Sequence, residues 1–282
     1  MIKSYAADTS PDAHRRHVAN IRAMTPAERV AAAFDLSAYA IERALAIIQR
    51  QRPSISVQQA RVVLLQRLYG VEFAARVRQG FLDWKPTMHE PLYRIVTPVV
   101  EAFEDLSIAY YIGGSVASIT YGMPRSTMDV DIITDMQAHD IDPLIARLSP
   151  LGYLDTTAAR EAVYYRSSFN LIPSSGPAKL AMFVSKGRPF DQSVFDRRRY
   201  LDISPDAPRP YALPSPEDII LLKLEWYEAT NRASIDQWPD ILGVLQSQDT
   251  ELDRAYLRRW ASILGLHALL EQAIVDAGIS QP

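Results

Sequence analysis

The residues with the clearest chemical potential lie in YYIGGSVASITYGMPRSTMDVDIIT, from Tyr110 to Thr134. A β-branched and aromatic run ends in Gly113-Gly114, and Ser115 then opens a short helical stretch. Two glycines let backbone N–H groups approach a ligand closely, and a helix N-terminus adds partial positive charge. Such a turn suits a triphosphate, with Ser115 and Ser118 able to add hydroxyl donors. Asp129 and Asp131 follow. On a strand, alternate residues share a face with Cα atoms about 7 Å apart. Paired carboxylates beside a phosphate cradle offer hard oxygen ligands for Mg²⁺ or Mn²⁺, which offset phosphate charge. Arg125 and Ser126, between cradle and acids, complete the set expected to bind nucleotide.

Strands must hold these groups. Ile108 to Ile112 and Met128 to Thr134 carry strand-forming residues, Val116 to Tyr121 reads as the helix between them, and residues 139–149 read as a helix after them. Ser168 to Ile172 and Ala178 to Val184 read as two further strands joined by the hairpin loop Pro173-Ser174-Ser175-Gly176-Pro177. Helices flank this segment on both sides. Residues 1–24 are polar, without sustained period, and read as a mobile arm. Thr25-Pro26-Ala27-Glu28 is a capping box opening a helix to about Gln49, and Ser56 caps a second that ends at Gly70. A short helix over 71–79 follows, then one from Leu92 to Asp105 that Pro98 restarts. Beyond Pro214, helices are expected at 217–229, 234–247, 253–264 and 266–277. The class is α+β: an arm over 1–24, a helical unit over 25–90, a mixed-sheet α/β domain over 91–213 and a helical bundle over 214–282.

Composition narrows the partners. The chain of 282 residues has no cysteine, which excludes thiolate metal sites, cysteine nucleophiles and a disulfide framework. A net charge of −3 gives no global field for nucleic acid or acidic membrane. No apolar run reaches the ~18 residues of a membrane span, and the N-terminus lacks a secretory core, so a cytoplasmic location is expected. Of 30 basic residues only five are Lys, at positions 3, 85, 179, 186 and 223.

The Gly-Gly-Ser turn followed by Asp-x-Asp resembles the polymerase-β-like nucleotidyltransferase superfamily. With SSFNLI, FVSKGRPFD and the tail SPEDIILLKLEWYEATNRASIDQWPDILGVL, the chain is similar to a bacterial branch related to abortive-infection and toxin–antitoxin nucleotidyltransferases. The likeness spans about residues 92–278. It implies a Mg²⁺-dependent transfer of a nucleotidyl group from an NTP to a hydroxyl of RNA, protein or a small molecule. It further implies that Gly114 and Ser115 bind triphosphate and that Asp129 and Asp131 bind metal. Lys223 in EDIILLKLEWY would reach the phosphates, and Asp240 in QWPDIL matches a later motif position. A cognate toxin or antitoxin partner is also implied. Read without the resemblance, Lys223 lies in an apolar helical run and needs a partner, for which Asp240 and Glu225 are candidates.

The pattern departs at one place. Where the branch is expected to carry a third carboxylate, in a stretch like Lys-Val-Asp-Leu-Phe, this chain has Lys179-Leu180-Ala181-Met182-Phe183. Two readings follow: Asp191 or Glu161 substitutes, or the chain is a catalytically silent module that binds a nucleotide or a partner. Other signals are weaker. His14 and His17 have a metal-like spacing but read as an unliganded surface pair. Arg197, Arg198 and Arg199 read as a solvated face before a nucleic-acid channel. Trp226, Tyr227, Trp238 and Trp260 read as inter-helix packing. The junction near Gly70, with Arg61, Arg67, Arg76 and Arg78, is a helix-turn-helix candidate that reads better as a helical cap.

Overall fold

The computed structural model describes residues 9–72, 74–75, 92–173 and 179–279. Its contacts divide the chain into two units that are discontinuous in sequence. One comprises Met1–Ala31, Tyr111–Pro124 and Gly187–Pro282, the other Ala32–Tyr110 and Arg125–Lys186.

Local caps set the first helices. In place of the expected arm, Pro11–Ala23 form α1, which Ser10 opens by accepting a hydrogen bond from Ala13 N. The helix buries only His14 and Ile21, so it leaves no apolar period to read. Helix α2, Pro26–Gln51, starts at the Thr25–Glu28 capping box, where Thr25 N donates to Glu28 at 2.7 Å. Ser56 and Gln59 form a second box ahead of α3, Val57–Tyr69, which Gly70 ends. Helix α4, Leu92–Asp105, runs through Pro98 without restarting. Its buried stripe of Ile95, Val96, Val99, Val100 and Phe103 outweighs the lost backbone bond. The helix expected over 71–79 lies partly, and residues 174–177 of the hairpin loop wholly, outside the described residues.

The second unit holds a mixed sheet. Before it in sequence come β1, Tyr110–Ile112, and α5, Gly114–Tyr121, which belong to the first unit except for Tyr110; the first strand wholly within the second unit is β2, Asp129–Thr134. Then come α6, Ile141–Leu148; β3, Gly152–Leu154; α7, Thr156–Tyr165; β4, Ser168–Pro173; and β5, Lys179–Val184. Within the second unit the sheet order is β2-β5-β4-β3. β2 and β5 are parallel, whereas β4 is antiparallel to both β5 and β3. Alternation along β2 buries Val130, Ile132 and Thr134 and leaves Asp129, Asp131 and Ile133 on the other face. Buried Leu180, Met182, Phe169 and Leu171 continue the inner face across β5 and β4, and α7 packs on both strands.

The first unit gathers the C-terminal helices. Helix α8, Pro189–Asp196, precedes a ribbon of β6, Arg199–Leu201, and β7, Tyr211–Leu213. Ser215 then caps α9, Pro216–Ala229; α10 is Gln237–Gln248, α11 Arg254–Ile263 and α12 His267–Asp276. The class is α+β, as expected, with β3, β6, β7, α7 and α8 additional to the expected elements. The three strands among them are only three residues long, too short for a two-residue alternation to register.

One glycine shows how tightly the sheet edge is built. A Cβ on Gly152 would lie 2.0 Å from the carbonyl oxygen of Ile172 and 2.7 Å from Pro173 Cα, both backbone atoms. Gly152→Ala is expected to cost roughly 1–3 kcal/mol or more by overpacking. Urea denaturation would show this as a lower midpoint, and an unchanged midpoint would contradict the close approach.

Candidate functional site

The carboxylate half of the site stands in the second unit. Parallel register sets Asp129 opposite Lys179 and Asp131 opposite Ala181. The antiparallel neighbour then sets Asn170 opposite Ala181. Asp131, Ala181 and Asn170 therefore form one row across three strands, all on one face. The methyl group of Ala181 occupies its centre. Beside this row, Lys179 Nζ lies 3.6 Å from Asp129 Oδ2, with side chains 29% and 50% exposed. The partner of Asp129 in this unit is thus a cation already carried by the chain. Among the described residues, no group of three or more His, Asp or Glu side chains comes together as a metal-ligand set.

The segment leading into β2 is clamped by α2. Ser37 Oγ accepts from Thr127 N at 2.9 Å and lies 2.9 Å from Thr127 O. Ser126, expected to bind nucleotide, donates its hydroxyl to Ser37 Oγ at 3.1 Å, while Arg125 reaches Ser126 O at 3.3 Å. Tyr69, at the end of α3, also senses this face: burial first, and then the charge of Asp129, push its phenol up to about 12.

The turn and the lysine stand in the first unit. Gly114 has φ +53°, the left-handed region that glycine adopts without strain, and no side chain caps the start of α5. The Ser118 hydroxyl, expected as a further donor, is buried and bonded within the protein. It donates to Asp240 Oδ2 at 3.1 Å and also reaches Ser115 O at 3.0 Å. Asp240 pairs in turn with Lys223 at 2.7 Å, and the two side chains are 4% and 5% exposed. Lys223 also donates to Gln237 Oε1 at 3.0 Å. Of the two sequence candidates, Asp240 rather than Glu225 is the carboxylate that pairs with Lys223. Glu225 is held by Arg188.

Neither expected substitute acid is a simple replacement. The Asp191 carboxylate accepts from Arg188 N at 3.0 Å and from its guanidinium at 2.7 Å, which closes the start of α8. Glu161 is exposed on α7. The weaker signals resolve structurally. His14 is buried rather than on the surface, and burial holds its pKa below the usual histidine range. Arg197 binds Glu217 at 3.0 Å and stacks 3.8 Å over the Tyr256 ring, so it is a packing residue rather than part of a solvated face. Trp260 is buried against Phe190 and Tyr227 stacks on Trp238, but Trp226 is exposed. At the junction expected to be a helical cap rather than a helix-turn-helix, Leu65 and Tyr69 pack with Ile172 and Tyr153, and Arg76 and Arg78 lie outside the described residues. Sequence reasoning missed Lys179, Asn170, Ser37 and Tyr69. Lys179 and Ala181 alternate in phase with Asp129 and Asp131, a signal that becomes readable once the parallel register is known.

Three comparisons set this geometry beside known proteins. Residues 22–85 match the model of a family described as Rv0078B-related antitoxin. No curated protein matches the chain. Among solved structures, the chain is similar to an antigenic nucleotidyltransferase-like protein from Paracoccidioides brasiliensis, at 18% identity and TM-score 0.41 over 65% of this chain and 93% of that one. It is also similar to the antibiotic-resistance factor ANT(2'')-Ia, at 16% identity and TM-score 0.41 over 64% and 95% of the two chains.

The Lys223–Asp240 pair makes a separable prediction. Removing one buried partner strands the other charge, at a cost of about 3–5 kcal/mol. Lys223→Met and Asp240→Leu are each expected to destabilise by that amount, and the double variant to recover most of it. A double-mutant cycle by urea denaturation measures this, and additive losses would contradict the pairing.

Proposed function

We propose that this chain is a nucleotidyltransferase-type module of a toxin–antitoxin system that binds nucleotide without transferring it. The observation that carries the reading is Ala181 opposite Asp131 on the adjacent strand. A hydroxyl acceptor must lose its proton to a base, and losing a positioned general base costs about 10²–10⁴ in rate. A methyl group at that row position takes no proton. Lys179 adds a second argument. Its ammonium at 3.6 Å already balances Asp129, so a divalent cation would have to compete with a tethered charge. Two carboxylates, one of them so engaged, do not fit a pair of ions clamping attacking and leaving oxygens.

Binding has separate support. The left-handed Gly114 and the uncapped start of α5 keep backbone amides suited to a polyphosphate. The charge of Lys223 is balanced by Asp240, so in this reading it orders α9 and α10 rather than serving phosphate. Similarity of residues 22–85 to an antitoxin family supports the regulatory setting. A transferase reading draws on the intact Asp129-x-Asp131 pair, with Asp129 half exposed. One experiment separates the two.

Full-length protein is incubated with labelled NTPs, cell extract and Mg²⁺ or Mn²⁺, beside the control Asp129→Ala plus Asp131→Ala. Label transfer by the unaltered chain is expected to match the control, while labelled NTP still binds in equilibrium dialysis. Ala181→Asp combined with Lys179→Ala is expected to raise metal-dependent transfer by at least tenfold, the lower part of a base's contribution. Transfer by the unaltered chain above the control would overturn the silent reading.

A further inference from the structure

The stretch that resembles an antitoxin contributes to the second unit together with the sheet. From Ala32 onward α2 belongs to that unit, and α3 lies wholly within it. The two helices pack on each other through Leu45, Ile48, Ala60 and Leu64. They then meet the sheet at two points. Ser37 holds both backbone polar groups of Thr127, two residues before Asp129. Ile41, Leu65 and Tyr69 pack with Ile172 of β4 and Tyr153 of β3.

The register identifies the face they cover. Continuing the β4–β5 pairing by one step sets Ile172 opposite Lys179, and Tyr153 pairs with Ile172. Tyr153, Ile172, Lys179 and Asp129 therefore lie in one row on the carboxylate-bearing face. The influence of the Asp129 charge on Tyr69 is consistent with the same placement.

We infer that the antitoxin-like helices α2 and α3 are a partner held in cis, docked on the carboxylate-bearing face of their own chain and shielding its Lys179 end. Covalent connection gives such a partner an effective concentration on the order of millimolar, so a separate antitoxin would compete poorly for this face. The inference rests on the proposed function only for the role of that face. The docking stands on the contacts themselves.

Lysine scarcity supplies a clean test. Lys186 is exposed and lies seven positions after Lys179, so it serves as an internal reference. Full-length protein is treated with an acetylating reagent, and the Lys179-to-Lys186 modification ratio is read by mass spectrometry. Leu65→Asp removes the apolar contact and Ser37→Ala removes the clamp. Both are expected to raise the ratio several-fold while the Lys186 rate stays constant. If Leu65→Asp does not fold, Ser37→Ala decides alone. An unchanged ratio in folded variants would overturn the cis partner. Label transfer by the unaltered chain would instead overturn the silent reading and leave this ratio untouched.

Discussion

Parallel pairing of β2 with β5 places every group on which the carboxylate face depends. It sets Lys179 against Asp129 and Ala181 against Asp131, and a slip of β5 by one residue would turn Lys179 and Ala181 to the opposite face. The register is well determined because the other face is apolar and buried: Val130 and Ile132 on β2 meet Leu180 and Met182 on β5. Hydrophobic burial of one face thus fixes the chemistry of the other. The outer face then carries a cation opposite one carboxylate and a methyl group opposite the other.

Charge balance recurs in the first unit, in a drier setting. Lys223 and Asp240 are both nearly inaccessible, and Ser118 and Gln237 each add a hydrogen bond to the pair. A buried pair of this kind adds little net stability but penalises any arrangement that separates its partners. It ties α5, which begins at the glycine turn, to α9 and α10. The turn is therefore held by an ion pair that a reading of sequence alone would divide between structure and phosphate binding.

Much of this was legible before any coordinates. Capping residues Thr25 and Ser56 marked helix starts because a cap is a local device. The Gly113-Gly114 turn and the alternation through Asp129 and Asp131 were readable for the same reason, since their spacing lies within one element. What was hidden depends on pairing between distant segments. Lys179 is 50 positions from Asp129, and Ser37 is 90 from Thr127. Helix α1 escaped notice because its cap is local but its buried surface is only two residues. Ala181 was recognised as a departure from a family pattern, and the register gave it a physical neighbour.

Binding of Mn²⁺ to the full-length chain, followed by electron paramagnetic resonance, tests the central claim most directly. No saturable site below about millimolar concentration is expected in the unaltered protein, because Lys179 balances Asp129 and Ala181 supplies no oxygen. Lys179→Ala combined with Ala181→Asp is expected to create a site. Stoichiometric Mn²⁺ binding by the unaltered chain, abolished by Asp129→Ala with Asp131→Ala, would contradict the claim.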